Sequence, residues 1–189
     1  MPYSHRGIVL TLLLGIAQLP TVDTVRARDF VLDQWNDTFV PTLLWNIESF
    51  GPLGQQFIPE QSSVGFAEFW IRAPSNGVTA RFSVALWTAD WRERIGQSTA
   101  ESVVRDFHGP MRVEFSPPIA VTPGRTYILE LRSAPGGIMT AVGPNHYPRG
   151  ILLRGGPDTD QFDVWFREGI IDPTPTLQAS WGSLKARYR

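Results

Sequence analysis

Apolar and polar residues alternate with a period of two in four separate stretches of the chain. Phe82, Val84 and Leu86 alternate with Arg81, Ser83 and Ala85, and Met111, Val113 and Phe115 with Arg112 and Glu114. Tyr127, Leu129 and Leu131 alternate with Ile128, Glu130 and Arg132, and Phe162, Val164 and Phe166 with Asp163 and Arg167. Successive side chains of a strand point to opposite faces, so this period marks strands buried on one side. Further strands are expected near Phe30–Trp35, Leu43–Phe50, Gly54–Ile58, Ser63–Arg72, Ile95–Glu101, Ile138–Val142 and Ile151–Arg154. Turns are expected at Pro74–Gly77, Pro117-Pro118, Thr122–Gly124, Ala134–Gly137 and Gly155–Asp158, where glycine and proline supply the backbone angles that tight turns need. The 16 prolines and 17 glycines recur at short intervals, and no helical period is sustained through the body of the chain. Each one-sided sheet must cover its apolar face, so the pattern predicts an all-β, antiparallel two-sheet β-sandwich of the jelly-roll kind with about ten strands.

The two ends depart from this pattern. Gly7–Ala17 (GIVLTLLLGIA) is apolar and follows His5 and Arg6, with Pro20 and then Val25-Arg26-Ala27 behind it. The run is shorter than the roughly 20 residues of a membrane-spanning helix and reads as a signal peptide over residues 1–27, with cleavage after Ala27 preferred over cleavage after Ala17. A sandwich domain is expected over 28–171, then a stiff Pro/Thr linker and a short tail over 172–189 with Trp181, Leu184 and Tyr188 among basic residues. The implied location is secreted or extracytoplasmic, in the periplasm or at the cell surface, with no membrane span once the signal is removed.

Composition changes the picture in two ways. The chain has no cysteine, so an exported domain must be held by packing or bound ions rather than disulfides. Net charge is −1 and the charges are scattered singly, which gives no basic stripe to follow phosphates and argues against nucleic acid.

Several segments together carry a resemblance. Gly54-Gln-Gln-Phe-Ile-Pro59, Ser63–Ile71, Val84-Ala-Leu-Trp87, Val113–Leu131 with its Thr122-Pro-Gly turn, Tyr147-Pro-Arg-Gly150 and Asp160–Phe166 follow one another in an order that resembles the jelly-roll domains of secreted bacterial proteins with C-terminal sorting signals. The resemblance implies a fold similar to carbohydrate-binding and galactose-binding-like modules, and it implies no chemistry. Those proteins often end in a Pro-Glu-Pro motif, an apolar helix and a basic cluster; this chain ends in Trp181–Arg189 without such a helix.

Candidate chemistry is sparse. Beyond the signal segment the histidines are His108 and His146, and there is no nucleophile elbow, zinc spacing or phosphate-cradling glycine loop. A Ser-His-Asp set or a carboxylate pair assembled from distant positions stays open, because both are defined by geometry. Asp158, Asp160 and Asp163 offer hard oxygen ligands suited to Ca²⁺, although aspartate is also an ordinary turn residue and Asp163 is expected to point outward from its strand. Asp33 and Asp37 could add oxygens. Trp87 and Trp165 fall on the outward phase of their strands, and Trp70 joins them if its strand keeps the same phase. Either they form an exposed stacking surface, or a flanking segment such as Asn36–Leu44 covers them. Trp91, in a loop beside Arg92, is expected to be the exposed ring. These features favour a non-enzymatic binding or adhesion module for a glycan or cell-surface component, contacting Trp91, His146, Tyr147 and Arg149 on loops or Trp87 and Trp165 on a face. The alternatives are a structural surface or assembly domain addressed by its tail, and a glycan hydrolase built on a jelly roll.

Overall fold

The computed structural model describes residues 29–40, 42–75, 79–134, 137–155 and 161–172. The segment expected to be a signal peptide, Asp158, Asp160 and the expected C-terminal tail lie outside the described residues. Thirteen strands and no helix occur among the described residues. They are β1 (Asp29–Asn36), β2 (Leu44–Asn46), β3 (Leu53–Phe57), β4 (Ser63–Arg72), β5 (Ala80–Thr88), β6 (Arg94–Gln97), β7 (Glu101–Val103), β8 (His108–Ala120), β9 (Tyr127–Ala134), β10 (Met139–Pro144), β11 (Leu152–Arg154), β12 (Phe162–Val164) and β13 (Phe166–Asp172).

These strands form two antiparallel sheets. The seven-stranded sheet runs β1-β13-β4-β10-β12, with β8 on the other side of β4 and β2 beside β10. The six-stranded sheet runs β11-β3-β9-β5-β6, with β7 continuing the β6 side of β5. Phe69 and Phe166 from the first sheet and Phe57, Phe82, Leu86 and Leu129 from the second are fully buried in one shared core. This is the predicted sandwich, and its layout is compatible with a jelly roll.

Three sequence expectations change. The stretch expected as one strand over Phe162–Phe166 is two, because the chain leaves β10 at Trp165 and joins β4 and β1 from Phe166 onward. The strand expected over Ile95–Glu101 is likewise two, β6 and β7, pairing with opposite halves of β5. Pro117-Pro118 is no turn but part of β8, where the pairing with β4 jumps from Phe66↔Glu114 to Val64↔Ile119. Proline lacks the N–H that a central ladder needs; at an edge strand and a pairing irregularity that loss costs little.

A second irregularity shapes the edge strand β1. Its pairing with β13 passes from Leu32↔Gly169 to Gln34↔Glu168, leaving Asp33 as the extra residue of a β-bulge. Gly169 makes room for it: a Cβ there would collide with the Val31 carbonyl oxygen. The bulge turns two consecutive polar side chains, Asp33 and Gln34, into buried positions.

Candidate functional site

The outer face of the six-stranded sheet carries the two tryptophans that meet there. Phe82, Val84 and Leu86 of β5 enter the core, so alternation sends Ser83, Ala85 and Trp87 outward. Trp87 is half-buried and its Nε1 donates to Glu130 Oε2 at 2.7 Å on the adjacent strand β9. Trp91 reaches the same face from the β5–β6 loop, with its ring centroid 6.0 Å from that of Trp87.

The loop that delivers Trp91 is tightly built. Thr88 N donates to the Glu93 carbonyl at 3.0 Å and Trp91 N to the Thr88 carbonyl at 3.0 Å, closing a turn inside a short hairpin. Thr88 Oγ1 donates to Asp90 Oδ1 at 2.7 Å, and Arg92 N donates to the same oxygen at 3.2 Å. Those two bonds hold the exposed Asp90 carboxyl below its ordinary pKa, the Thr88 bond most. Trp91 then sits at φ 58°, the left-handed region in which a glycine would be the unstrained choice. Its ring crosses β9 to β3, and Cζ2 and Cη2 lie 2.9 Å from where a Cβ on Gly54 would be. Trp91 is therefore half-buried on the sheet rather than the freely exposed ring expected, with its Nε1 enclosed and unpartnered. Arg92 beside it points to solvent and pairs with Asp90 at 3.3 Å.

Polar groups flank the tryptophan pair. Gln97 Oε1 accepts from Arg94 Nη1 at 3.0 Å and from Arg132 Nη1 at 3.4 Å. Arg132 Nε stands 3.8 Å from the Glu130 oxygen that Trp87 also uses. Glu130 and Arg132 also line a shallow groove of about 330 Å³ with Glu48, Gly51, Pro52 and Ser133. Sequence reasoning found Trp87 by its phase; it missed Glu130, Gln97, Arg94 and Arg132, which belong to separate strands and meet only through the sheet.

The opposite outer face is closed. Trp165 and Trp70 make an edge-to-face pair at 5.8 Å, Phe39 lies 5.1 Å from Trp70, and the Arg167 guanidinium lies 4.8 Å above Trp165. Phe39 arrives on the segment after β1, anchored by the bond from Val40 N to the Val142 carbonyl at 3.1 Å and packed against Gly143, where a Cβ would clash. Trp165 is left 4% exposed. Phe39 of the segment after β1 thus covers Trp70, and its Asp37 holds Arg167 over Trp165, the second of the two arrangements open from sequence, whereas Trp87 stays partly open.

The other sequence candidates are dispersed. Asp163 is fully buried rather than outward, at 0% exposure. Its Oδ1 accepts from Gln55 Nε2 at 3.0 Å, and its Oδ2 from the backbone N–H groups of His146 and Tyr147 at 2.8 Å each. Burial raises its pKa against these bonds. Gln55, between the core residues Leu53 and Phe57, points inward, which explains why the carboxylate turns in to meet it. Among the described residues no three His, Cys, Asp or Glu side chains are grouped to hold a metal ion. Asp37 is committed to Arg167, whose Nε donates to it at 2.9 Å.

His146 is exposed, but Tyr147 is 5% exposed and packs edge-on to Phe166 instead of facing a ligand. Its hydroxyl donates to Gln34 Oε1 at 3.0 Å, and burial pushes its pKa up. Arg149 caps this inner cluster by pairing with Glu60. Beside it Glu168 is 0% exposed, its carboxyl enclosed between the strands. Burial and the neighbouring Asp33 carboxyl, with which it shares a hydrogen bond, push its pKa up to about 9. Asp33 Oδ2 accepts the N–H groups of Glu60 at 2.9 Å and Gln61 at 3.0 Å, and Glu168 stays protonated at neutral pH. This carboxyl pair is enclosed between the strands, without the exposure that a glycosidase pair needs to reach a sugar.

A groove of about 710 Å³ is lined by Ser75, Asp106 and His108 together with Arg72. No hydrogen bond joins the three among the described residues; Asp106 faces Arg105 at 3.6 Å and the His108 ring abuts Trp70. The chain matches no protein-family model and no curated protein sequence.

Proposed function

We propose that the chain is an exported, non-enzymatic binding or adhesion module that takes glycan on the outer face of its six-stranded sheet. The observation that carries this reading is Trp91 at φ 58°. A bulky residue held in the left-handed region costs on the order of 1–2 kcal/mol, and such strain collects where a side chain has a task beyond folding. Here the strained loop lays an indole next to Trp87 on a sheet face. Two tilted indoles offer apolar faces to the C–H faces of sugar rings, and Glu130, Gln97 and Arg132 surround them with hydrogen-bonding groups.

A glycan array followed by calorimetry, with and without calcium, tests this. Trp87→Ala and Trp91→Ala should each weaken binding roughly tenfold or more, the scale of an aromatic anchor, while leaving the circular dichroism of the sandwich in place. Binding untouched by both substitutions, or no binding to any sugar, would end the proposal.

One observation favours a role in assembly as a second reading. Among the described residues β1 is an edge strand, and its Phe30, Val31, Leu32 and Trp35 are all exposed, Trp35 reaching 54%. An open edge offers unpaired backbone groups to another chain. If this edge associates, the protein will self-assemble with rising concentration in sedimentation runs, and Leu32→Lys with Trp35→Lys will abolish it. A monomer at all concentrations removes this reading.

A further inference from the structure

Resting on the glycan reading above, we infer that this face selects anionic sugars, with Arg94 and Arg132 holding a uronate carboxylate beside the tryptophan pair. On the strands of this face, alternation and register place Arg81 and Trp87 of β5 outward, Arg94 opposite Trp87, Gln97 opposite Ala85, and Glu130 and Arg132 of β9 on the far side. Charged side chains pointing outward from these strands are therefore Arg81, Arg94, Arg132 and Glu130. Glu101 of β7 shares its phase with Val103, which enters the core, and so belongs to the opposite side. Among the described residues these strands turn three guanidinium groups and one carboxylate outward, and Glu48 adds a second carboxylate to the groove beside Arg132, in a chain whose net charge is −1.

The disposition of two of them is specific. Arg94 and Arg132 come from strands on either side of β5, yet their Nη1 atoms converge on the same acceptor, the neutral Gln97 Oε1, at 3.0 and 3.4 Å. Guanidinium groups that converge repel each other, and a neutral amide oxygen compensates that only in part. A carboxylate is the acceptor that matches their charge and planar geometry. Glu130 supplies part of that charge to Arg132 from 3.8 Å, but its Oε2 is already engaged by Trp87 Nε1, and among the described residues no carboxylate pairs with Arg94. A hexuronate stacked on the indoles carries its carboxylate on the rim of the ring, where a neutral hexose carries only a hydroxymethyl group.

Calorimetry with oligogalacturonate and oligomannuronate, each against its neutral methyl ester, tests the inference on the full-length protein. The acid form of at least one should bind tenfold or more tighter than its ester, and the preference should fall to near unity in Arg94→Gln and in Arg132→Gln. It should also weaken as salt rises, while Arg105→Gln, away from this face, leaves it unchanged. Equal affinity for acid and ester, or binding to neutral oligosaccharides alone, overturns the anionic preference and leaves the glycan reading standing. Acid binding that persists in Trp87→Ala and Trp91→Ala means diffuse attraction by surface charge and overturns it as well. Failure to bind any sugar, charged or neutral, overturns the glycan reading itself.

Discussion

The ring of Trp91 occupies the space above Gly54 that any side chain at that position would claim. A Cβ on Gly54 would stand 2.9 Å from Cζ2 and Cη2 of Trp91 and 2.7 Å from Cγ2 of Ile128. A glycine in the middle of β3 weakens the strand by itself, so its place here is as the floor of the indole.

Gly54→Ala should therefore lift Trp91 from the sheet. The obstacle is the far end of a side chain rather than backbone, so the fold should survive at a cost of about 1–3 kcal/mol. Tryptophan emission should shift to the red and glycan affinity should drop with it. An unchanged emission spectrum would show that the ring does not rest there.

Glu168 makes stability fall as pH rises. The unfolded chain releases this proton near 4.5, whereas the folded protein keeps it to about 9. Between those values the folded state binds more protons, so its stability declines by up to about 1.4 kcal/mol per pH unit from this group. Below the lower value the effect vanishes. Glu168→Gln, which cannot ionise and keeps a donor toward Asp33, should flatten the profile between pH 5.5 and 8. Urea denaturation of both proteins at several pH values checks this; identical slopes would count against a buried acid.

Asp163 pins the turn before β11 to the interior. Asp163→Ala leaves Gln55 Nε2 and the N–H groups of His146 and Tyr147 without their acceptor. Each buried orphan costs about 1–3 kcal/mol, so a loss of at least ~3 kcal/mol is expected. Amide exchange at His146 and Tyr147 should accelerate ahead of the rest of the sandwich.

Gly169→Ala should loosen the edge strand β1. The new Cβ would meet the Val31 carbonyl oxygen, which is backbone and cannot step aside without breaking the bulge that holds Asp33. A cost of about 3 kcal/mol is expected, with exchange protection lost first over Asp29–Asn36. Protection retained along β1 would refute it.

The fold class was legible because a period of two is a local property: Phe82, Val84 and Leu86 announce a half-buried strand whatever lies beside them. By the same rule Trp87 and Trp165 were placed on outer faces. Which outer face stays open was not legible. Trp165 is closed by Trp70 and Arg167, with Phe39 packed on Trp70, all from other elements, while among the described residues Trp87 meets Trp91 and a rim of polar groups. Asp163 was misplaced for a related reason, since its inward turn depends on Gln55, which lies 108 residues away. Arg94, Arg132 and Gln97 carry no motif in the chain and converge only because β6, β5 and β9 are neighbours. Thus the sequence by itself determined the all-β class and the phases of β5, β8 and β9, each set by side-chain alternation along a single stretch. Tertiary structure alone decided which tryptophans are covered, which acids are buried and where the arginines meet, because those outcomes depend on pairings between distant strands.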